Sequence, residues 1–339
     1  MKMKRAIGIT ILILSIFFCG GTIAYGEEGI GGFTIEGVPN AHQLDSSVGY
    51  FYLKENPEEK DEIKVKLINE SSKEKTLEIK VTDANTNPNG IIDYTGMIKN
   101  HKLLKTPLTQ IVKANQSEVK VPANSTKETT LTVTMPKDRF EGIVLGGIVV
   151  SEKKDEEKSK QTVSVENTYS YTLGVVLTNE TENQMKKYIS VELEDVGPIL
   201  YDGRRIIKAD ILNPNPYIFP DSKVEGQIID QKTKEVVRTK EQKNVSIAPF
   251  SVFPFQFDWV KEDLKPGKYL FKGVVTGDKK EWKFEKEFEI TEEQADKINQ
   301  ESVFQIQIPK WVSIGSLVFA LLAFMMIVFL LLRSRKRGK

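Results

Sequence analysis

The 339-residue sequence has one cysteine, two histidines and no glycine-rich phosphate loop. A single cysteine excludes a disulfide framework and any multi-cysteine metal or iron–sulfur centre. Two histidines are too few for a histidine-rich metal centre. Neither His42 nor His101 lies in a nucleophile motif, and Gly-x-Ser-x-Gly is absent. His42 reads as a surface or cap residue, and His101, in Lys99-Asn100-His101-Lys102, as a solvated loop residue. Carboxylates are plentiful, but most glutamates alternate with apolar residues and mark the wet faces of strands. No catalytic residue, metal ligand or cofactor is therefore assigned.

Long uncharged runs are confined to the two ends. Lys2, Lys4 and Arg5 precede an apolar run from Ala6 to about Thr22, and Ala24-Tyr25-Gly26 supplies small residues at a cleavage site. This pattern predicts a signal peptide over 1–26. Trp311–Leu332 is 22 residues without a charge, followed by Arg333, Arg335, Lys336, Arg337 and Lys339. That length predicts a transmembrane helix, and the basic flank keeps the C-terminus cytoplasmic. Between the ends, residues 27–309 carry 39 cations against 47 anions, a net charge of −8. An acidic exported surface repels nucleic acid.

The exported part has a period of two. Glu62–Ile68, Thr76–Val81 and Thr129–Thr134 alternate polar and apolar residues, whereas Gly142–Val150 is more fully apolar. Thr162–Leu177 continues the set, and a polar run at 179–184 precedes a second set between Tyr188 and Ile290. Strands of this length with polar turns predict an all-β fold of two tandem immunoglobulin-like β-sandwich domains, plus one C-terminal transmembrane helix. The boundaries read as sandwiches over 27–182 and 183–300, a tether over 301–310, the span over 311–332 and a basic tail over 333–339. Thr291-Glu292-Glu293-Gln294 predicts a short helix with a threonine N-cap.

Two loops carry candidate contacts. Asn85, Asn87 and Asn89 follow a calcium-loop rhythm with Gly90 and Asp93, but the twelfth position is Gly96, where a bidentate glutamate is required. The amides, with Asp93 and Tyr94, instead suit sugar hydroxyls, so these five are the glycan-binding candidates. Pro214, Pro216 and Pro220 remove three backbone donors, which predicts an edge or a rigid loop displaying Tyr217 and Phe219 to a protein partner. Trp259 and Trp282 read as core.

The ordered set of motifs resembles the WxL-interacting proteins of Gram-positive bacteria, which are membrane-anchored and encoded beside surface proteins with a Trp-x-Leu wall-binding domain. The resemblance rests on Tyr50-Phe51-Tyr52-Leu53, Asp83–Asn87 with Gly90 and Tyr94, Phe140–Ile148, and Tyr169–Leu177. It continues through Asn213-Pro214-Asn215-Pro216, Ile247–Ser251, Pro266–Tyr269 and Trp282–Ile290. The family's Pro-x-Asn-Gln is spaced differently here, as Pro39-Asn40-Ala41-His42-Gln43, and Phe250 stands where asparagine is usual. The resemblance implies a peptidoglycan-binding first domain and a host- or partner-binding second domain. It also implies a WxL-domain surface protein or a host extracellular protein as partner. The expected protein is a non-catalytic cell-surface binder, held in the membrane by one span with its bulk outside; the alternatives are a wall-remodelling glycan hydrolase with an unrecognised carboxylate pair and an assembly scaffold that binds only protein.

Overall fold

The computed structural model describes residues 31–153, 169–181, 184–259, 262–303 and 319–327. The expected signal peptide and basic tail lie outside the described residues. So do most of the tether and much of the expected span, of which 319–327 are helical. Among the described residues no helix is long and apolar enough to cross a membrane.

The chain is mostly β-strand and forms two lobes. The first contains β1 (Phe33–Gly37), β2 (Phe51–Lys54), β3 (Lys60–Asn69), β4 (Lys75–Asp83), β5 (Asn85–Thr86) and β6 (Ile92–Asp93). A helical turn α1 (Leu108–Ile111) follows, then β7 (Val112–Ala114), β8 (Glu118–Val121), β9 (Ser125–Thr134), β10 (Val144–Glu152) and β11 (Ser170–Thr178). One sheet has the order β1-β3-β9-β7 and the facing sheet β2-β11-β10-β4-β8, with β5-β6 a separate ribbon. Alternation explains the packing. Ile63, Val65 and Leu67 of β3 enter the core while Lys64 and Lys66 stay outside, and Ile148 and Val150 of β10 meet them from the other sheet.

The second lobe contains β12 (Glu192–Tyr201), β13 (Arg204–Leu212), β14 (Phe219–Asp230), β15 (Val236–Ile247), β16 (Val252–Asp258), β17 (Gly267–Gly277) and β18 (Lys280–Ile290). Its sheets have the orders β12-β13-β16 and β15-β14-β17-β18. Phe253, Phe255 and Phe257 alternate along β16 and all point inward. Phe255 and Phe257 pack edge to face at 5.0 Å, and Phe257 meets Phe271 at 6.0 Å. Gly226 makes room for these rings, because a Cβ there would lie 2.8 Å from Phe255 and 3.0 Å from both Phe257 and Phe271. Helix α2 (Glu292–Glu301) closes the lobe, with Thr291 and Gln294 forming a capping box and Ala295 and Ile298 packed on the core. Trp259 is buried in the core, and Trp282 packs against Phe219 at 5.0 Å.

A third apolar cluster lies on the seam between the lobes. Tyr52, Ala84, Ile143, Leu145 and Val176 of the first lobe pack with Ile218 and Ala248 of the second. Three backbone donors cross the seam: Ile143 to the Pro216 carbonyl at 2.9 Å, Ser246 to that of Gly90 at 2.8 Å, and Ala248 to the Thr86 hydroxyl at 2.9 Å. Hydrogen bonds across an apolar seam oppose separation of the two lobes, since each broken bond leaves an unpaired group.

Candidate functional site

The asparagine-rich loop between β4 and α1 is built around its own polar groups. Asp83 accepts bonds from the Thr109 amide at 2.9 Å, the Thr109 hydroxyl at 2.8 Å and the Asn100 amide at 2.7 Å. Asn85 is buried, and its side-chain amide donates to the Ile98 carbonyl at 3.2 Å and to Asn100 Oδ1 at 2.9 Å. Asn87 Oδ1 accepts from the amides of Asn89 and Ile91, closing the tight turn. Asp93 Oδ1 accepts from the Thr95 amide and hydroxyl. Tyr94 is half-buried, and that burial, with Tyr50 nearby, raises the pKa of its phenol above the ordinary value. Of the five glycan candidates only Asn89 is exposed.

The two partner candidates are not displayed, which corrects the expectation that the proline-rich loop presents them. Tyr217 is only 2% exposed and donates its hydroxyl to Glu141 Oε1 across the seam at 3.2 Å, with Lys187 Nζ 3.7 Å above its ring. Phe219 is fully buried between Tyr188 and Trp282. The loop is rigid for a different reason. Asn213 Nδ2, buried, donates to the carbonyls of Tyr217, Ile247 and Ala248. The prolines aim the loop at the seam.

Asn89 opens onto a polar cleft of about 350 Å³ between the lobes. Pro88 and Asn89 form one wall; Tyr201, Arg204, Lys240, Gln256 and Asp258 form the other. Arg204 pairs with Asp258 at 3.4 Å, and burial lowers the pKa of Lys240, opposed by Asp258. The cleft offers amide, aromatic, cationic and anionic groups, which suits a ligand rich in hydroxyls and amides. The second-lobe residues come from β12, β13, β15 and β16, so no local motif announces them.

His42 keeps a partly exposed side chain, as a surface residue should, whereas His101 departs from expectation. The His101 side chain is 13% exposed, with Nε2 3.1 Å from Glu194 on the other lobe, so it is a seam residue and not a solvated one. His42 Nδ1 lies 2.8 Å from Glu55 Oε2 and 3.6 Å from Asp61 Oδ2. Burial raises the Glu55 pKa to about 7, against the opposing pull of His42. Glu55 and Asp61 are a carboxylate pair, but Glu55 is fully buried and cannot touch a polysaccharide.

Residues 33–152 match the family model described as WxL Interacting Protein, peptidoglycan binding domain. Residues 160–300 match WxL Interacting Protein, host binding domain. The chain belongs to the WxL-interacting protein family. No curated relative matches. Among solved structures, the Pseudomonas aeruginosa CupB2 chaperone is 12% identical over 66% of this chain and 91% of its own, with a TM-score of 0.26. The E. coli chaperone DraB is also 12% identical, over 72% of this chain and 96% of its own, with a TM-score of 0.29. Likeness at that level carries no argument about this chain.

The WxL-interacting protein assignment and the sheets divide the chain at different points. The host-binding model begins at 160, yet β11 pairs with β10 and β2 of the first lobe. The ladder is the better guide to what folds together, because β11 carries Leu173, Val175 and Leu177 into the first core.

Proposed function

We propose that this WxL-interacting protein is a non-catalytic cell-surface binder whose first lobe engages wall peptidoglycan and whose second engages a protein. The partner is a WxL-domain surface protein or a host extracellular protein. The observation that carries the reading is the order of the two family matches along one continuous β structure, 33–152 then 160–300. Membrane anchoring through 311–332, with the bulk of the chain outside, follows from the uncharged run and its basic flank. The seam supports a linking role, since the two lobes are joined by hydrogen bonds and an apolar cluster that oppose their separation. On the first lobe, the outward part of the asparagine loop, with Asn89 exposed beside the cleft, is assigned to the glycan.

Co-sedimentation with protein-free cell-wall sacculi tests this. The purified chain pellets with sacculi and releases no soluble glycan, and Asn89→Ala pellets less without a change in melting temperature. A chain that stays in the supernatant removes peptidoglycan as a ligand. Released glycan fragments favour the hydrolase.

A further inference from the structure

Three segments of the chain meet near the first lobe's edge. Residues 42–44 run beside β2, where the Lys54 amide donates to the His42 carbonyl at 3.0 Å and the Leu44 amide to that of Tyr52 at 2.8 Å. Glu55 follows β2 directly, and Asp61 lies at the start of β3. This folding brings one ligand atom each from His42, Glu55 and Asp61 within 4.8 Å of one another.

We propose that His42, Glu55 and Asp61 bind one divalent metal ion of the zinc class, a site independent of the wall-binding reading. Glu55 carries the argument. Its side chain is 0% exposed, and Oε1 has no hydrogen-bond partner while Oε2 lies against His42. A buried carboxylate oxygen without a donor is costly, and a cation between it, the imidazole and Asp61 removes that cost. Zinc bonds of roughly 2.0–2.2 Å to nitrogen and oxygen put tetrahedral ligand atoms roughly 3.4 Å apart. The observed 2.8 and 3.6 Å from Nδ1 require only small side-chain shifts to reach that spacing.

The surrounding groups orient the ligands. His42 Nε2 faces Glu59 Oε1 at 3.9 Å, which favours the tautomer with its proton on Nε2 and leaves Nδ1 free to coordinate. Asn40 Nδ2 donates to Asp61 Oδ2 at 2.7 Å, and Asn40 Oδ1 accepts the His42 amide at 2.7 Å. The donor set selects the metal: an imidazole among carboxylates suits zinc better than calcium or magnesium. A bound ion would staple residues 40–43 to β3 and to the end of β11, because the Glu55 amide donates to the Thr178 carbonyl and Asn179 donates to the Glu55 carbonyl.

The test titrates zinc alone into the chelator-stripped full chain by calorimetry, with calcium in parallel and metal content measured after dialysis. One zinc per chain is expected, bound more tightly than calcium. His42→Ala and Glu55→Gln each weaken binding beyond the roughly 10–100-fold typical of losing an outer partner, and Glu59→Gln weakens it roughly tenfold. Glu55→Gln keeps the fold, since a neutral amide suits that buried position, and circular dichroism checks it. Absence of saturable zinc binding, zinc affinity unchanged in both ligand variants, or tighter binding of calcium each overturns the site.

Discussion

Gly142 sits at the seam with φ +75°, and a Cβ there would lie 2.3 Å from the Pro216 carbonyl oxygen and 2.8 Å from Pro216 Cβ. Gly142→Ala therefore incurs two separable costs. A non-glycine residue in the left-handed region costs about 1–2 kcal/mol. Wedging a methyl into packed backbone adds about 1–3 kcal/mol, and separating the two loops to relieve it loses the Ile143–Pro216 hydrogen bond, worth about 1 kcal/mol. Gly32→Ala is the control: its φ is +69°, and its nearest neighbour is a side-chain atom, Ser71 Cβ, at 3.1 Å. Gly142→Ala should cost about 3–6 kcal/mol and Gly32→Ala about 1–2 kcal/mol, or, at about 2 °C per kcal/mol, about 6–12 °C against about 2–4 °C in melting temperature. Scanning calorimetry on the full chain measures both. Equal shifts for the two variants would refute the claim that the lobes are locked through Pro216.

Asn213→Ala removes donors from three buried carbonyls and should cost about 3 kcal/mol, read as a lower urea midpoint at unchanged slope. Asn213→Asp keeps the volume but not the donors, so it should cost at least as much; a stable aspartate variant would mean the clamp does not matter. At the seam, burial disfavours the charged form of Glu194, but His101 and Lys102 outweigh it and hold the carboxyl below its ordinary pKa of 4.5. A depressed pKa contributes stability above 4.5 that is lost as pH falls through the folded value. Glu194→Gln should then cost about 0.2–1 kcal/mol at pH 7, less in high salt, and nothing once the wild-type carboxyl is protonated. A gap between the two proteins that widens in acid would contradict this.

Strands such as β3 and β9 were legible because one face is buried and the other wet. β15 is hard to read as a strand: Arg238, Lys240, Glu241 and Lys243 interrupt its apolar pattern, as charge does on an edge strand. The seam left a signal that alternation alone does not decode. Gly142–Val150 reads as fully apolar because Val144, Ile148 and Val150 face their own core while Ile143 and Leu145 face the second lobe. Tyr52 between Phe51 and Leu53, and Val176 between Val175 and Leu177, repeat this two-sided burial. Asn85, Tyr217 and Phe219 look like display residues in sequence because polar loops and prolines mark surfaces. Here Tyr217 is covered by the other lobe, Phe219 lies in its own lobe's core, and Asn85 bonds back into its own loop. The His42 cluster could not be read, since its members meet only once residues 42–44 dock beside β2.

β2 and β11 run parallel, paired from Val175 with Phe51 to Thr178 with Lys54, and the chain leaves β11 toward the second lobe. A pull on the C-terminal side therefore acts along the length of β11. Such a load strains its ladder bonds in shear, all at once, where an antiparallel hairpin pulled from its open end would peel one bond at a time. A molecule held on one side and tugged from the other thus meets the force in shear at this join.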